Sequence, residues 1–380
     1  MKIKMNKSEV PVEMMSTMGC RTYNGFDINF TPDYFKKVIT ATVNNNGKIP
    51  ANCLVSGIQK DGRGNIAPCT IVLPFVAMEA KKKAKDEPTY IVDYFMDLLE
   101  KYITDAKDEL IERFNWICAQ PWTSAKYMWN NNTMKGYDPN EGIRSAMVHG
   151  TLAIGQLGVA EALYILVGVD QTTDKGMEVA KKIEQLYNSK CEEYKQQYKL
   201  NFGVYYTPAE NLCYTAFKAF KKKFGNVPGV TNFTDKDGVV HEKEFFTNSI
   251  HVPVWLGDED GVDWKKKIDT ECQLTGYSNA GCITYLEISD NAKSNTDALY
   301  QILKYEMEHD IPYAAFNFQI NECVNCGNTD NLDESVGICP VCGSTNINWL
   351  RRITGYLVGD KNASFNKGKN NEESYRKAHA

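Results

Sequence analysis

The sequence predicts an α/β fold with a small metal-binding module near its C-terminus. Short apolar runs alternate with helical patterns from about residue 200 to 320. That order favours parallel strands joined by helical crossovers, in an α/β barrel or an open sheet. Near the end, Cys323-Val-Asn-Cys326 and Cys339-Pro-Val-Cys342 stand twelve residues apart, a spacing that suits four thiolates around one tetrahedral zinc. The bulk numbers agree with a folded body. Of 380 residues, 43% are hydrophobic, enough for a sizeable core. A net charge of −5 argues against a general nucleic-acid binder. No apolar run is long enough to span a membrane. The basic start, Met1 to Lys7, leads into no apolar segment of the secretory kind. Twelve cysteines without such a leader suggest thiols, metal ligands or redox groups in the cytoplasm.

Taken in order, Ser16 to Thr22 and Asn44 to Gly47 read as loops. Asp61-Gly-Arg-Gly-Asn65 reads as a turn feeding a short strand, Thr70 to Pro74. From Tyr90 to about Cys118, Ile91, Phe95, Leu98, Tyr102, Ala106 and Leu110 recur at helical steps. Residues 121–150 are aromatic and polar, broken by Pro121 and Gly136. Thr151 to Val167 is a single apolar run closed by Gly168, a helix-ending glycine. Asp174 to Tyr198 is an amphipathic helix whose inner face is Met177, Ala180, Ile183 and Tyr187. Phe202 to Tyr206 is a strand. Thr207-Pro208-Ala209-Glu210 then begins a helix, with Thr207 as cap, Pro208 at the first position and Glu210 at the third. Residues 224–245 form a loop or hairpin, and Phe246 to Val254 is extended. Gly281 to Ile288 is a strand, Thr296 to Glu308 a helix and Tyr313 to Ile320 a strand. The natural boundary is near Asn321, where the cysteine clamp takes over.

The clamp leaves no coordination position open, so its metal is structural. Two independent redox dithiols are the competing reading of the four cysteines. A nucleic-acid-binding ribbon is another, since residues 351–380 hold seven Lys/Arg against three Asp/Glu. Cys53, Cys69, Cys118, Cys191, Cys213, Cys272 and Cys282 are scattered and read as small buried hydrophobes. His149 and His251 lack metal-ligand spacing and read as structural. Gly355, between polar and aromatic neighbours, reads alone as a turn or bulge. Glycine is also the residue whose Cα radical can flatten without a side chain and share its spin with the flanking amides.

Six ordered stretches then point one way. They are Met18-Gly19-Cys20-Arg21-Thr22; Gly62-Arg63-Gly64-Asn65 with Thr70 to Pro74; Thr207-Pro208-Ala209-Glu210; and Phe246-Thr247-Asn248-Ser249 with His251, Val252 and Pro253. The clamp follows. Last comes Arg352-Ile-Thr-Gly355-Tyr356-Leu357, with Phe365 to Lys369, Glu372 or Glu373, Arg376 and His379 behind it. Together they resemble the anaerobic (class III) ribonucleoside-triphosphate reductases, which are glycyl-radical enzymes, over nearly the whole chain. The resemblance is to the C-terminal half of that longer family chain.

The resemblance implies the C-terminal part of a ten-stranded α/β barrel of the glycyl-radical and ribonucleotide-reductase type. Residues 1–320 would be the barrel portion, with the thiyl-cysteine loop at 16–22. Residues 321–348 would be the zinc knuckle, and 349–380 the radical loop and tail. Gly355 would store the radical and Cys20 would receive it as a thiyl. Asn65 would polarise the ribose; Ala209, Glu210 and Asn248 would bind substrate. The implied activity is reduction of ribonucleoside triphosphates to 2′-deoxyribonucleoside triphosphates. The implied partners are a radical S-adenosylmethionine activase with a [4Fe-4S] cluster, formate or a thioredoxin-type dithiol as reductant, and a second copy in a homodimer. The family's N-terminal ATP-cone regulatory region and the first half of its barrel have no counterpart in this sequence, and a separate N-terminal half of the reductase is expected to supply the missing strands. The rival readings are another glycyl-radical enzyme acting on a small organic substrate, and a non-catalytic zinc-ribbon protein.

Overall fold

In a computed structural model, the residues described are 2–5, 8–11, 27–29, 63–289 (without 132 and 135), 295–309, 311–318, 320–329, 332, 336–353, 356–358 and 365–380. The expected loops at 16–22 and 44–47 lie outside them, as do Cys20, Cys53 and Gly355.

Two short strands, β1 (Lys2–Met5) and β2 (Ser8–Pro11), pair antiparallel. The centre of the molecule is a parallel sheet of β3 (Asn65–Val72), β4 (Thr151–Leu157) and β5 (Asn201–Tyr205) in the order β3-β4-β5. Every residue of β4 and β5 is buried. Strands covered on both faces read as continuous apolar runs rather than alternating ones. That is why Thr151 to Val167 looks like one apolar segment in sequence. The structure divides it at Gly158, whose φ of +79° only glycine adopts readily. β4 lies before that glycine and helix α3 after it.

Four helices wrap this sheet. They are α1 (Leu73–Lys83), α2 (Ile91–Cys118), α3 (Val159–Val167) and α4 (Asp174–Tyr198). The predicted stripe of α2 faces inward at Phe95, Leu98, Ala106 and Leu110, joined by Leu99, Ile103 and Phe114. On α4 all four predicted residues are buried. Each large apolar side chain so covered contributes about 1.5–3 kcal/mol. Thr70 to Pro74 is not one strand: β3 ends at Val72, and Leu73-Pro74 opens α1, where proline fits the first turn.

The next helix, α5 (Leu212–Phe224), starts later than the Thr207 cap predicts. Thr207 Oγ1 instead lies 2.9 Å from Thr70 Oγ1, so a tertiary partner takes the hydroxyl that a local cap would use. Residues 224–245 contain the hairpin β6 (Asn232–Thr234) and β7 (Val240–Glu242). Phe246 to Val254 forms no strand. After α6 (Trp264–Thr275), residues 278–281 run beside β5. Tyr206 N–H donates to Gly281 O at 3.0 Å, and Tyr205 and Gly281 form a parallel bridge. The chain continues into β8 (Thr284–Glu287), α7 (Thr296–Glu308) and β9 (Ala314–Asn317), which is parallel to β8. Thus β3, β4, β5, β8 and β9 run the same way, in chain order, with helices between them. This is the α/β succession expected; a closed barrel is not formed by the described residues.

The expected strand Tyr313 to Ile320 splits, and its second part enters a separate antiparallel sheet. That sheet is β10 (Ile320–Cys323), β11 (Ile347–Ile353) and β12 (Tyr356–Val358). Finally α8 (Lys367–Ser374) and the C-terminal residues return to the body.

Candidate functional site

The clamp is built from two equivalent knuckles at the end of β10 and before β11. In the first, Gly327 N–H donates to Cys323 O at 2.8 Å and Cys323 N–H to Asn328 O at 2.8 Å. In the second, Gly343 N–H donates to Cys339 O at 2.9 Å and Cys339 N–H to Ser344 O at 2.8 Å. Gly327 and Gly343 both take φ of +71°, so the repeated glycine has a backbone reason in each half. The four sulfurs all lie within 4.8 Å of one another. Cys323 and Cys342 are 3.5 Å apart, and Cys326 and Cys339 are 3.7 Å apart. A tetrahedral zinc with Zn–S near 2.3 Å has sulfur–sulfur edges of about 3.8 Å. The four cysteines could therefore hold such an ion without rearrangement.

The electrostatics of the clamp agree. Burial pushes the Cys339 thiol up, but backbone N–H groups of Cys342 and Val341 pull it further down, to about 6. Cys323 is lowered in the same way by the N–H groups of Cys326 and Asn325, against its burial. The backbone N–H groups of Asn328 and Ser344 pull Cys326 and Cys342 down, but burial and hydrogen bonds shared with the neighbouring cysteines outweigh them, so Cys326 is pushed up to about 12 and Cys342 is also raised. A divalent cation would offset that rise.

Position 355 itself lies outside the described residues. Its flanks are described on both sides. Ile353 pairs with Tyr356 and Arg351 with Val358, so the strands leading into and out of positions 354 and 355 belong to the clamp's sheet. Downstream, the tail is stitched to the body. Asn366 Nδ2 donates to Asn211 Oδ1 at 2.7 Å, and Lys377 N–H to Val254 O at 3.0 Å. Trp264 N–H donates to His379 O at 3.0 Å, and Ser289 N–H to Ala380 O at 2.7 Å. Two of the tail's basic residues turn inward: Lys369 pairs with Glu372 at 2.6 Å, both buried, and Arg376 pairs with Glu287 and Glu372.

Two expected substrate loops meet at the C-terminal ends of the parallel strands. Ser249 Oγ donates to Thr207 O at 2.9 Å and Gln156 O at 3.1 Å, which joins the Ala209-Glu210 loop to the Asn248 loop. Ala209 and Ser249 hold φ of +50° and +40°, uncommon for residues with a side chain and a mark of functional loops. A Cβ on Gly155 of β4 would lie 2.0 Å from Thr207 Oγ1, so the close approach of this loop requires glycine there. Asn248 is buried, and its Oδ1 has no hydrogen-bond partner among the described residues. It borders a small cavity of about 30 Å³ with His251, Tyr285, Arg376 and His379. Asn65 stands elsewhere. It begins β3, opposite Thr151, and its Nδ2 donates to Ala280 O at 3.1 Å. Thr70 pairs with Gly155, four strand steps beyond Thr151, so the two lie roughly 13 Å apart along the sheet.

His149 Nδ1 lies 2.8 Å from Asp27 Oδ2, and His251 Nδ1 lies 3.2 Å from Glu271 Oε2. Burial raises the thiols of Cys69, Cys118, Cys191, Cys213 and Cys272, as expected of hydrophobic packing residues. The sequence did not single out Lys267, Glu271 or Glu287. Lys267 and Glu271 stand at an ordinary i,i+4 ion-pair spacing, and what sets them and Glu287 apart, His251 on Glu271 and Arg376 on Glu287, comes from distant segments.

The fold and clamp define an α/β protein with a four-thiol cluster that could hold a metal, beside a C-terminal β hairpin. A family model described as anaerobic ribonucleoside-triphosphate reductase matches residues 2–379, and the chain belongs to that family. It is 28% identical over 327 residues to the anaerobic ribonucleoside-triphosphate reductase of Enterobacteria phage T4, covering 84% of this chain and 49% of that one. To the protein of the same name from Escherichia coli (strain K12) it is 29% identical over 337 residues, covering 84% and 43%. The chain thus spans about half the length of the curated relatives it matches. Among solved structures, an anaerobic ribonucleotide reductase superposes with a TM-score of 0.58 at 18% identity, covering 84% of this chain and 46% of that one. The Thermotoga maritima enzyme with dATP bound in its specificity site gives 0.57 at 17%, covering 91% and 54%. At these identities the superpositions show the shared fold.

Proposed function

We propose that this chain is the radical-bearing portion of a cytoplasmic anaerobic reductase that converts ribonucleoside triphosphates to 2′-deoxyribonucleoside triphosphates. The observation that carries the reading is the clamp. Four convergent thiols anchor the sheet whose last two strands flank Gly355, with the tail docked on the other side. Zinc bound there would fix the sheet and take no part in bond breaking. Residues 1–320 are the barrel portion, 321–348 the knuckle and 349–380 the radical loop and tail.

In this reading Gly355 loses its Cα hydrogen to a radical S-adenosylmethionine activase carrying a [4Fe-4S] cluster. The glycyl radical takes the hydrogen of the Cys20 thiol. The thiyl takes the ribose 3′ hydrogen, the 2′ hydroxyl leaves as water, two electrons enter from formate or a thioredoxin-type dithiol, and Cys20 returns the hydrogen. Asn65 polarises the ribose. The loops of Ala209-Glu210 and Asn248 hold the nucleotide, with the N-terminal amides of α5 available to its phosphates. The assembly is a homodimer.

The test is anaerobic activation by a cognate activase. Electron paramagnetic resonance should show a glycyl doublet, and oxygen should then cut the chain at residue 355. Gly355→Ala should lose both signals, whereas Cys20→Ala should keep the radical and lose turnover. No doublet with an activase proven on another substrate would overturn the radical assignment.

A further inference from the structure

A cavity of about 690 Å³ opens between the C-terminal ends of α1 and α5 and the start of α2. Its volume falls within the ~300–1,000 Å³ of small-molecule sites. The floor is apolar, from Met78, Ala84, Pro88, Ile91 and Phe224, and the rim is basic, from Lys81, Lys82, Lys85 and Lys223. Lys223 Nζ stands 5.0 Å from the Phe224 ring and 5.7 Å from the Phe75 ring. Among the described residues none of these four lysines forms an ion pair. The single lining carboxylate, Glu79, accepts a hydrogen bond from Tyr102 at 2.9 Å.

Lysines gather at helix C-termini because they offset the helix dipole, which is worth about half a negative charge per end. Two helix ends and Glu79 account for about two of the four positive charges. About two remain, in a chain whose net charge is −5. The other face of α5 makes the contrast. There Lys218, Lys221, Lys222 and Lys367 line a second cavity of about 500 Å³, but Lys221 pairs with Glu242 at 3.0 Å and Lys367 pairs with Glu244. The first cavity differs in that none of its four lysines has a carboxylate partner among the described residues, above an apolar floor.

We propose that this cavity binds a phosphate ester with an apolar or aromatic body. The dianionic phosphate meets Lys81, Lys82, Lys85 and Lys223, and the body lies on Ile91 and Phe224. The site is independent of the radical assignment.

Calorimetric titration of the full chain with 1-naphthyl phosphate tests it, against 1-naphthol and inorganic phosphate. The phosphate ester should bind saturably and at least about tenfold more tightly than either fragment. Lys82→Glu and Lys223→Glu, both exposed changes, should each weaken it about tenfold, and added salt should weaken it further. Adenosine 5′-monophosphate distinguishes the source. Tighter binding than naphthyl phosphate that is lost in the same variants assigns a nucleotide; weaker binding assigns a non-nucleotide ester. Equal affinity for inorganic phosphate, unchanged binding in both lysine variants, or no saturable binding up to millimolar concentration would each overturn the proposal.

Discussion

Lys243 Nζ lies 2.7 Å from Glu161 Oε1, and neither side chain reaches solvent. The same carboxylate oxygen accepts from Thr247 N–H at 2.9 Å and Thr247 Oγ1 at 2.8 Å. The ammonium also sits 4.3 Å from the Trp255 ring. The first turn of α3 thereby holds the segment that presents Asn248. Removing one partner strands a buried charge, at a cost of about 3–5 kcal/mol, whereas replacing both with apolar groups is often close to neutral. Glu161→Ala should therefore lower stability in urea by that amount. Glu161→Leu combined with Lys243→Met should recover most of it. A simple sum of the single losses in the double variant would count against this account.

Metal should govern the hairpin beside Gly355. Purified protein should carry about one zinc per chain, and a chelator should release it. Cys323→Ser or Cys339→Ser should lose the metal and speed amide exchange in β10 and β11, while β3 to β5 keep their protection. Unchanged exchange in the metal-free protein would argue against an anchoring role.

The docking of the tail should weaken in mild acid. Burial first, then Lys267, lowers His379 from 6.5 to about 3; Arg376 also lowers it, while Glu271 acts the other way. A histidine with a depressed folded pKa adds stability that is complete above the unfolded value and lost as pH falls toward the folded one. Between pH 6.5 and 5 the loss is about 2 kcal/mol. Tail amides should exchange faster at pH 5 than at pH 7.5 after correction for intrinsic rates. His379→Gln should remove most of that difference.

Glu306 has the opposite sign. Burial first, then Glu271, raises its carboxyl from 4.5 to about 7, and both carboxyl oxygens lack hydrogen-bond partners among the described residues. The folded state holds this proton more tightly than the unfolded one, so stability falls as pH rises from about 4.5 through 7. Glu306→Gln should raise the unfolding free energy measured in urea at pH 8, by up to roughly 3 kcal/mol, and change little at pH 4. An equal shift at both pH values would show that charge is not the cause.

Much of the architecture was legible in local pattern. The spacing of α2 and α4 predicted their buried faces, because a helix repeats every 3.6 residues wherever it lies. The two Cys-x-x-Cys pairs predicted the clamp, since a tetrahedral ion dictates both its ligands and their knuckles. The failures share one cause. Thr207 was read as a cap but bonds to Thr70, which is 137 residues earlier. Thr151 to Val167 was read as one segment because a doubly covered strand has no alternation to reveal it.

From the sequence alone came the family resemblance, the helices, the thiol clamp and the candidacy of Gly355. Each rests on short spacings that chemistry constrains directly. Tertiary structure decided the rest. It brought the Ala209 and Asn248 loops together through Ser249, set Asn65 at the far end of its strand, and turned Lys369 and Arg376 inward. It also left four lysines without an ion pair among the described residues over one apolar cavity. These are contacts between segments scores of residues apart, and their energies arise only when burial removes water from both partners.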